Sequence, residues 1–265
     1  MIYKKSKILW NKRVGDLYYK MGIGCDVEFF NAVPGQFIML RLADHTVSLL
    51  NRPFSLHNLI YKNKKPIGIE LLYKVVGRCT KAMSQQKEGD FVHILGPLGN
   101  GFMLPDKGSK IFIVAGGIGA APMIFLLSSI KQKYLLLSDT KFFLGGKTKD
   151  DILCVDEIAG LKVALNITTD DGSLGEKGFI TESLKKEIKK NRPDIIYACG
   201  PFNMLKAVAG ISRDDNISCH ISIETIMACG MGACLGCAVE TAGTSGKYAH
   251  VCIDGPVFDA SLLKI

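Results

Sequence analysis

Three closely spaced cysteines, Cys229, Cys234 and Cys237, answered by a fourth at Cys252, constrain this chain more than any other feature. The spacing is C-x4-C-x2-C, then fourteen residues and the last cysteine. This is the plant-type pattern for a [2Fe–2S] cluster, in which a tight loop delivers three thiolates and a distant residue closes the shell. Gly230, Gly232 and Gly236 suit such a loop. Backbone wrapped around sulfides takes left-handed torsions and brings N–H groups close to sulfur, and glycine permits both. A structural zinc is the competing reading, although zinc sites more often place two C-x2-C pairs on separate knuckles. A disulfide framework fits poorly with a chain of this length and an odd total of nine cysteines. The other five, Cys25, Cys79, Cys154, Cys199 and Cys219, sit among apolar or glycine-rich neighbours and read as buried thiols of a reducing compartment.

With 265 residues, 48% of them hydrophobic, the chain can bury two small cores and a satellite. Its net charge of +8 comes from dispersed lysines rather than a basic stripe interleaved with aromatics, so no nucleic acid is expected as a partner. Residues 219–265 are mildly acidic, with Glu224, Glu240, Asp254 and Asp259 against two lysines. The lysine-rich residues 1–10 are not followed by the apolar run of a leader, which points to a cytoplasmic protein. Residues 111–130 carry no charge and are long enough to span a bilayer. Gly116, Gly117, Gly119 and Pro122 interrupt that run, so it is expected to split into strand, turn and helix, with no membrane association.

Up to about residue 102 the chain is a series of strand-length runs divided by turn residues, which predicts a small antiparallel β-barrel. Two places in it carry chemistry. In Arg52-Pro53-Phe54-Ser55 the proline fixes the backbone, the arginine offers a forked cation for a pyrophosphate, and the serine can hydrogen-bond a ring edge. In Leu72-Tyr73-Lys74-Val75-Val76-Gly77-Arg78-Cys79-Thr80 a strand runs into a glycine turn and a short helix over 80–86 capped by Thr80. A helix start suits a diphosphate, and the two motifs fit two sides of one flavin dinucleotide, FAD.

Residues 103–218 alternate apolar strands with helical stretches, the pattern of an open parallel α/β sheet. Strands are expected at 110–115, 141–144, 162–168, 194–198 and 216–221, with helices notably over 181–190 and 201–209. Three small-residue turns follow strands on one edge: Gly116-Gly117-Ile118-Gly119, Thr168-Thr169-Asp170-Asp171-Gly172-Ser173, and Cys199-Gly200-Pro201. That edge is where a nicotinamide dinucleotide binds in such sheets. Lys147, Thr148 and Lys149 followed by Asp150 and Asp151 leave NAD and NADP both open. The expected organisation is therefore a FAD-binding β-barrel over 1–102, an NAD-binding α/β domain over 103–218, and a small [2Fe–2S] domain over 219–265.

This order of parts resembles the ferredoxin-reductase superfamily, and more narrowly the electron-transfer subunits of NAD-dependent (class 1B) dihydroorotate dehydrogenases. The resemblance spans essentially the whole chain. It is most specific at Gly96-Pro-Leu-Gly-Asn-Gly-Phe102, Thr169-Asp-Asp-Gly172, Glu224-x-x-Met227-Ala-Cys-Gly-Met-Gly-Ala-Cys-Leu-Gly-Cys237 and Val251-Cys-Ile-Asp-Gly-Pro-Val-Phe258. It implies flavin contacts at Arg52, Pro53, Phe54, Ser55, Leu72, Tyr73, Lys74, Cys79 and Thr80, and cluster ligands at Cys229, Cys234, Cys237 and Cys252. A glycine is usual in the family where this chain has Cys79, whose side chain would crowd the diphosphate. The related ferredoxin:NADP transhydrogenase and sulfide-dehydrogenase subunits carry an aspartate in the cluster motif, and its absence here favours the dihydroorotate branch. The resemblance further implies an FMN-containing catalytic partner in a heterotetramer of two plus two subunits, since nothing in these 265 residues builds an FMN barrel. Electrons would enter at the cluster and leave, through FAD, as hydride to NAD⁺. The alternative is an equivalent reductase subunit serving another complex, such as a hydrogenase or sulfide dehydrogenase.

Overall fold

The computed structural model describes residues 1–43, 49–134, 137–243 and 246–265. Six antiparallel strands close into a barrel: β1 (Ile2–Arg13), β2 (Tyr18–Gly24), β3 (Phe37–Leu42), β4 (Arg52–Lys62), β5 (Lys65–Lys74) and β6 (Phe91–Leu98), in the order β1-β2-β5-β4-β3-β6. Strand periodicity explains what fills it. Met21 and Ile23, Ile38 and Leu40, Ile69 and Leu71, and Val92 and Ile94 each stand two residues apart and are fully buried. The β4–β5 hairpin turns at Asn63 and Lys64, both with positive φ, as the twist of a two-residue hairpin requires. Helix α1 (Arg78–Ser84) then packs Met83 into the barrel.

Helix α1 begins two residues before the expected 80–86, and Thr80 does not stand at its cap. Gly77 occupies the cap position, and Thr80, three residues on, turns its hydroxyl back to accept from the N–H groups of Val76 and Gly77. A side chain at the third helical position can reach the cap in this way.

The second unit is a seven-stranded sheet of order β10-β9-β8-β7-β11-β12-β15. Its strands are β7 (Ile111–Gly116), β8 (Thr140–Gly146), β9 (Ala164–Thr169), β10 (Glu176–Lys177), β11 (Ile195–Cys199), β12 (Ser218–Ser222) and β15 (Val257–Asp259). All neighbours are parallel except β15, which returns from the C-terminal segment and pairs antiparallel with β12. Four helices connect the strands: α2 (Ala120–Tyr134), α3 (Val155–Gly160), α4 (Ile180–Lys190) and α5 (Phe202–Asp214).

The uncharged run at 111–130 becomes β7, a glycine turn and the start of α2, as expected. The run is apolar because it is buried on every side: β7 is covered on both faces, and α2 is wedged between sheet and barrel. Phe125 joins the barrel core while Ile124 and Leu127 pack on the sheet. Among the described residues no helix is long and apolar enough to cross a membrane.

Two short strands, β13 (Ala238–Glu240) and β14 (Tyr248–His250), form a separate ribbon beside the cysteine loop. Cys237, Val251 and Cys252 share a hydrophobic cluster with Phe37 and Met39 of the barrel and Ile221 of the sheet. The cysteine segment is thereby fastened to both larger units.

Candidate functional site

The nine residues expected to hold a flavin all border one cavity of about 630 Å³. Strand β4 contributes Arg52 to Ser55, β5 contributes Leu72 to Lys74, and the start of α1 contributes Cys79 and Thr80. Strands β4 and β5 are neighbours in the barrel, so two motifs twenty residues apart in sequence face the same space. The Arg52 guanidinium turns back on its own loop, donating to the carbonyls of Leu50 and Asn51 at 3.1 and 3.3 Å. Burial raises the phenol pKa of Tyr73, whose hydroxyl donates to Asn11 Oδ1 at 3.1 Å; the ring serves as a wall.

A second cavity, of about 840 Å³, lies at the carboxyl ends of the parallel strands. The chain builds outward in opposite directions from β7, so β7 and β11 are adjacent although far apart in sequence. That switch point sets the Gly116-Gly117 turn beside the Gly200-Pro201 turn, and all four residues border the cavity. Gly119 and Cys199 do not line it. They lock together beneath it, where a Cβ on Gly119 would stand 2.2 Å from the Cys199 carbonyl oxygen, and Cys199 is buried.

The two cavities meet. Lys74, Ile118, Ile223 and Glu224 border both. Glu224 opens its side chain to this junction, and desolvation by the surrounding walls raises its carboxyl pKa. Tyr18 and Asp151 border the second cavity as well.

The cysteine loop begins at the first cavity: Met227 lines that cavity and lies two residues before Cys229. Gly230 (φ 73°) and Gly232 (φ 83°) take the expected left-handed torsions. A side chain on Gly230 would strike Met39 of the barrel at 2.4 Å. Gly236 is not left-handed; Leu235 takes that torsion instead, at φ 56°. N–H groups turn toward the sulfurs. Met231 and Cys234 each donate to Cys229 Sγ at 3.4 Å, Gly232 to Cys252 Sγ at 3.1 Å, and Cys252 to Cys237 Sγ at 3.4 Å. Burial works against ionisation of Cys229, but the donors from Met231, Cys234 and Ala233 outweigh it and lower its pKa to about 7. Burial and the adjacent Cys237 thiol push Cys252 up to about 11.

Cys234 lies against Cys229, and both Cys237 and Cys229 are near enough to Cys252 to raise its pKa. Among the described residues, the one set of three or more potential ligand atoms all within 4.8 Å of one another is His57, Cys154 and Glu157, so no three of these sulfurs converge that closely. A tetrahedral zinc draws its four sulfurs to about 3.8 Å from one another. Thiolates wrapped in N–H donors suit an iron–sulfur cluster, whose sulfurs are stabilised by such hydrogen bonds.

Comparison with known proteins agrees with this geometry. Residues 224–264 match the family model described as the iron-sulfur cluster binding domain of dihydroorotate dehydrogenase B, and residues 113–210 match an oxidoreductase NAD-binding domain. A protein of Desulforamulus reducens named dihydroorotate dehydrogenase B (NAD(+)), electron transfer subunit, is 40% identical over 231 residues, covering 86% of this chain and 85% of the relative. The chain belongs to the family of dihydroorotate dehydrogenase B electron transfer subunits. A second such subunit, from Caldanaerobacter subterraneus, is 38% identical over 255 residues, covering 96% of this chain and 95% of its own. Among solved structures, an NADH-dependent reduced ferredoxin-NADP oxidoreductase superposes with a TM-score of 0.83 at 27% identity, over 98% of this chain and 89% of that one. A ferredoxin NADP⁺ reductase from Neisseria gonorrhoeae shares the fold at a TM-score of 0.66 and 19% identity, over 80% of this chain and 91% of that one.

Within this family fold, sequence reasoning named Lys74 and Asp151 but missed Tyr18 and the contacts that join all three across domains. Tyr18 and Asp151 are 133 positions apart, yet the Tyr18 hydroxyl donates to the Asp151 carboxylate, as does Lys74 Nζ at 3.0 Å. No local motif surrounds Tyr18. Glu224 had a signal in the Glu224-x-x-Met227 motif, but nothing in the sequence set it at the meeting point of two cavities.

Proposed function

We propose that this chain is the subunit that carries electrons from dihydroorotate oxidation to NAD⁺, with FAD in the barrel cavity, NAD in the sheet cavity and a [2Fe–2S] cluster on the cysteine loop. The observation carrying this reading is contiguity. Met227 connects the cysteine loop to the flavin cavity, and Lys74, Ile118, Ile223 and Glu224 connect the flavin cavity to the dinucleotide cavity. When bound, these groups supply one-electron chemistry at iron, both one- and two-electron chemistry at the flavin, and hydride acceptance at the nicotinamide.

The chain's residues bind and orient. Cys229, Cys234, Cys237 and Cys252 supply the thiolates, and the N–H donors around them stabilise negative charge on sulfur. Arg52 offers a fork to a diphosphate once it leaves the Leu50 and Asn51 carbonyls, and Ser55 faces the same cavity. The N–H groups at the start of α1 offer a second diphosphate contact at Cys79 and Thr80. Gly116, Gly117, Gly200 and Pro201 let a dinucleotide approach the backbone closely, while Gly119 and Cys199 hold their two turns together from below. The functional units are residues 1–102 for FAD, 103–218 for NAD and 219–265 for the cluster.

The chain works with a dihydroorotate dehydrogenase catalytic subunit. We take that subunit to carry FMN, the assembly to contain two copies of each, and the complex to reside in the cytoplasm. The test is division of labour. Purified alone, the chain should reduce artificial dyes with NADH and show no dihydroorotate–NAD turnover; adding the FMN subunit should restore it. Turnover by the isolated chain would overturn the assignment, and failure of a dihydroorotate-oxidising partner to couple would favour service to a different oxidoreductase.

A further inference from the structure

The barrel and the α/β domain are joined by two sets of polar contacts, both centred on the segment that follows β8. At its start Asp151 accepts from Tyr18 and Lys74, and the Lys74 ammonium also sits over the Tyr18 ring, 4.8 Å from its centroid. Further on, Glu157 of α3 pairs with Lys20 of β2 and with Nε2 of His57 at 3.1 Å. Lys20 has a second acid, Glu70, at 3.9 Å. His57 is completely buried, and its other nitrogen, Nδ1, donates to the carbonyl of Ala121 at 2.9 Å.

These positions matter because of what they adjoin. His57 lies two residues past Ser55 on the strand that borders the flavin cavity. Ala121 lies in the first turn of α2, directly after the Gly116–Gly119 turn that borders the dinucleotide cavity. One buried imidazole therefore ties the flavin strand to the dinucleotide helix, while Asp151 ties the rim of the dinucleotide cavity to β2 and β5. The ligand atoms of His57, Cys154 and Glu157 lie within 4.8 Å of one another, but Lys20 already supplies the positive charge at that carboxylate. The cluster is an ion-paired joint.

We propose that His57, Asp151 and Glu157 are positioning residues for hydride exchange, because the two joints they form set the distance and tilt between the flavin and nicotinamide cavities. The proposal rests on the reading that those cavities take FAD and NAD. Hydride transfer requires donor and acceptor atoms held roughly 3–3.5 Å apart, and an error of about 1 Å costs on the order of 100-fold in rate. Both joints act on that separation. Asp151 borders the dinucleotide cavity itself, and Glu157 acts through His57 on the flavin strand.

The test uses D151N and E157Q in the full FAD- and iron-loaded chain, each replacing a carboxylate by an amide of the same shape. Three measurements are made: hydrogen exchange of residues 147–160, the long-wavelength charge-transfer absorbance when NAD⁺ meets reduced flavin, and kcat and KM for flavin reduction by NADH. The expected result is faster exchange in 147–160, a weakened charge-transfer band, and kcat lowered about tenfold or more with KM changed far less. The same exchange increase with an intact band and kcat within about twofold of wild type would overturn the proposal and leave the joints purely structural. Should E157Q fail to retain FAD, D151N decides by the same criteria. A wild-type chain whose flavin NADH does not reduce would instead overturn the functional reading, so the two failures are told apart by the wild-type trace.

Discussion

The Gly119 contact offers the sharpest mutational test of how the dinucleotide site is built. A Cβ at this position would lie 2.2 Å from the Cys199 carbonyl oxygen, 2.5 Å from its carbonyl carbon and 2.7 Å from the Gly200 nitrogen. Real Cβ atoms essentially never come closer than 3.0 Å, so in G119A the two turns must part by about 0.8 Å, and the obstructing atoms are backbone. Overpacking of this kind costs roughly 1–3 kcal/mol in stability. The larger effect is functional, because the turns that separate are those bordering the dinucleotide cavity, and a misplacement near 1 Å lowers rate by on the order of 100-fold. Anaerobic stopped-flow measurement of flavin bleaching by NADH should show kcat/KM down about 10- to 100-fold in G119A. Iron content should stay at the wild-type level, and FAD content is measured alongside because Ile118 and Ala121, on either side of Gly119, border the flavin cavity. G210A is the control: Gly210 lies in α5, borders neither cavity and has nothing within 4 Å of a Cβ, so NADH reduction of the flavin should be unchanged. A G119A protein within about threefold of wild type would refute the reasoning.

Other outcomes follow from the same structure. C237S, which replaces a buried sulfur that accepts the Cys252 N–H, should lower iron content sharply while FAD content holds; full iron occupancy in C237S would contradict its role as a ligand. Cys79 is buried within the barrel core cluster, so C79G should not tighten FAD binding. It should destabilise the chain by about 1 kcal/mol or more through glycine in a helix, and a fluorescence titration showing much tighter FAD binding would restore the crowding idea. At Glu157 burial alone would raise the pKa, but the hydrogen bond to His57 and then that to Lys20 outweigh it and hold the carboxyl at about 2, against 4.5 for a free one. A depressed folded-state pKa gives stability that is complete above about pH 4.5 and lost as pH falls through about 2. The difference in melting temperature between wild type and E157Q should therefore narrow as pH falls from about 4.5 towards 2; a difference that widens on acidification would contradict it.

Much of this architecture was legible because its motifs are local. Arg52 to Ser55 and Leu72 to Lys74 lie on strands that pair in the barrel, so short sequence patterns sufficed to mark two walls of one cavity. The cysteine spacing likewise carries its own geometry. Contacts made by the fold rather than by a motif were not legible. His57 and Glu157 are 100 positions apart, and Asp151 meets Tyr18 only after the α/β domain has docked on the barrel. The return of β15 into the sheet depends on the path of the cysteine segment, and a three-residue strand leaves too short a pattern to read. Two expectations were displaced by a single position or a turn. Leu235 takes the left-handed torsion expected of Gly236, and Gly77 takes the cap expected of Thr80, because loop closure and helix start are set by the backbone path and not by the neighbouring residue best suited to them.

The most direct test of the whole account is electron paramagnetic resonance of the purified, anaerobic chain after addition of NADH. Four thiolates on one loop and its partner segment, in plant-type spacing, predict a rhombic spin-one-half signal of a reduced [2Fe–2S] cluster, integrating to about one spin per chain at sufficiently low potential. A silent spectrum from a chain that carries one zinc and no iron would contradict it.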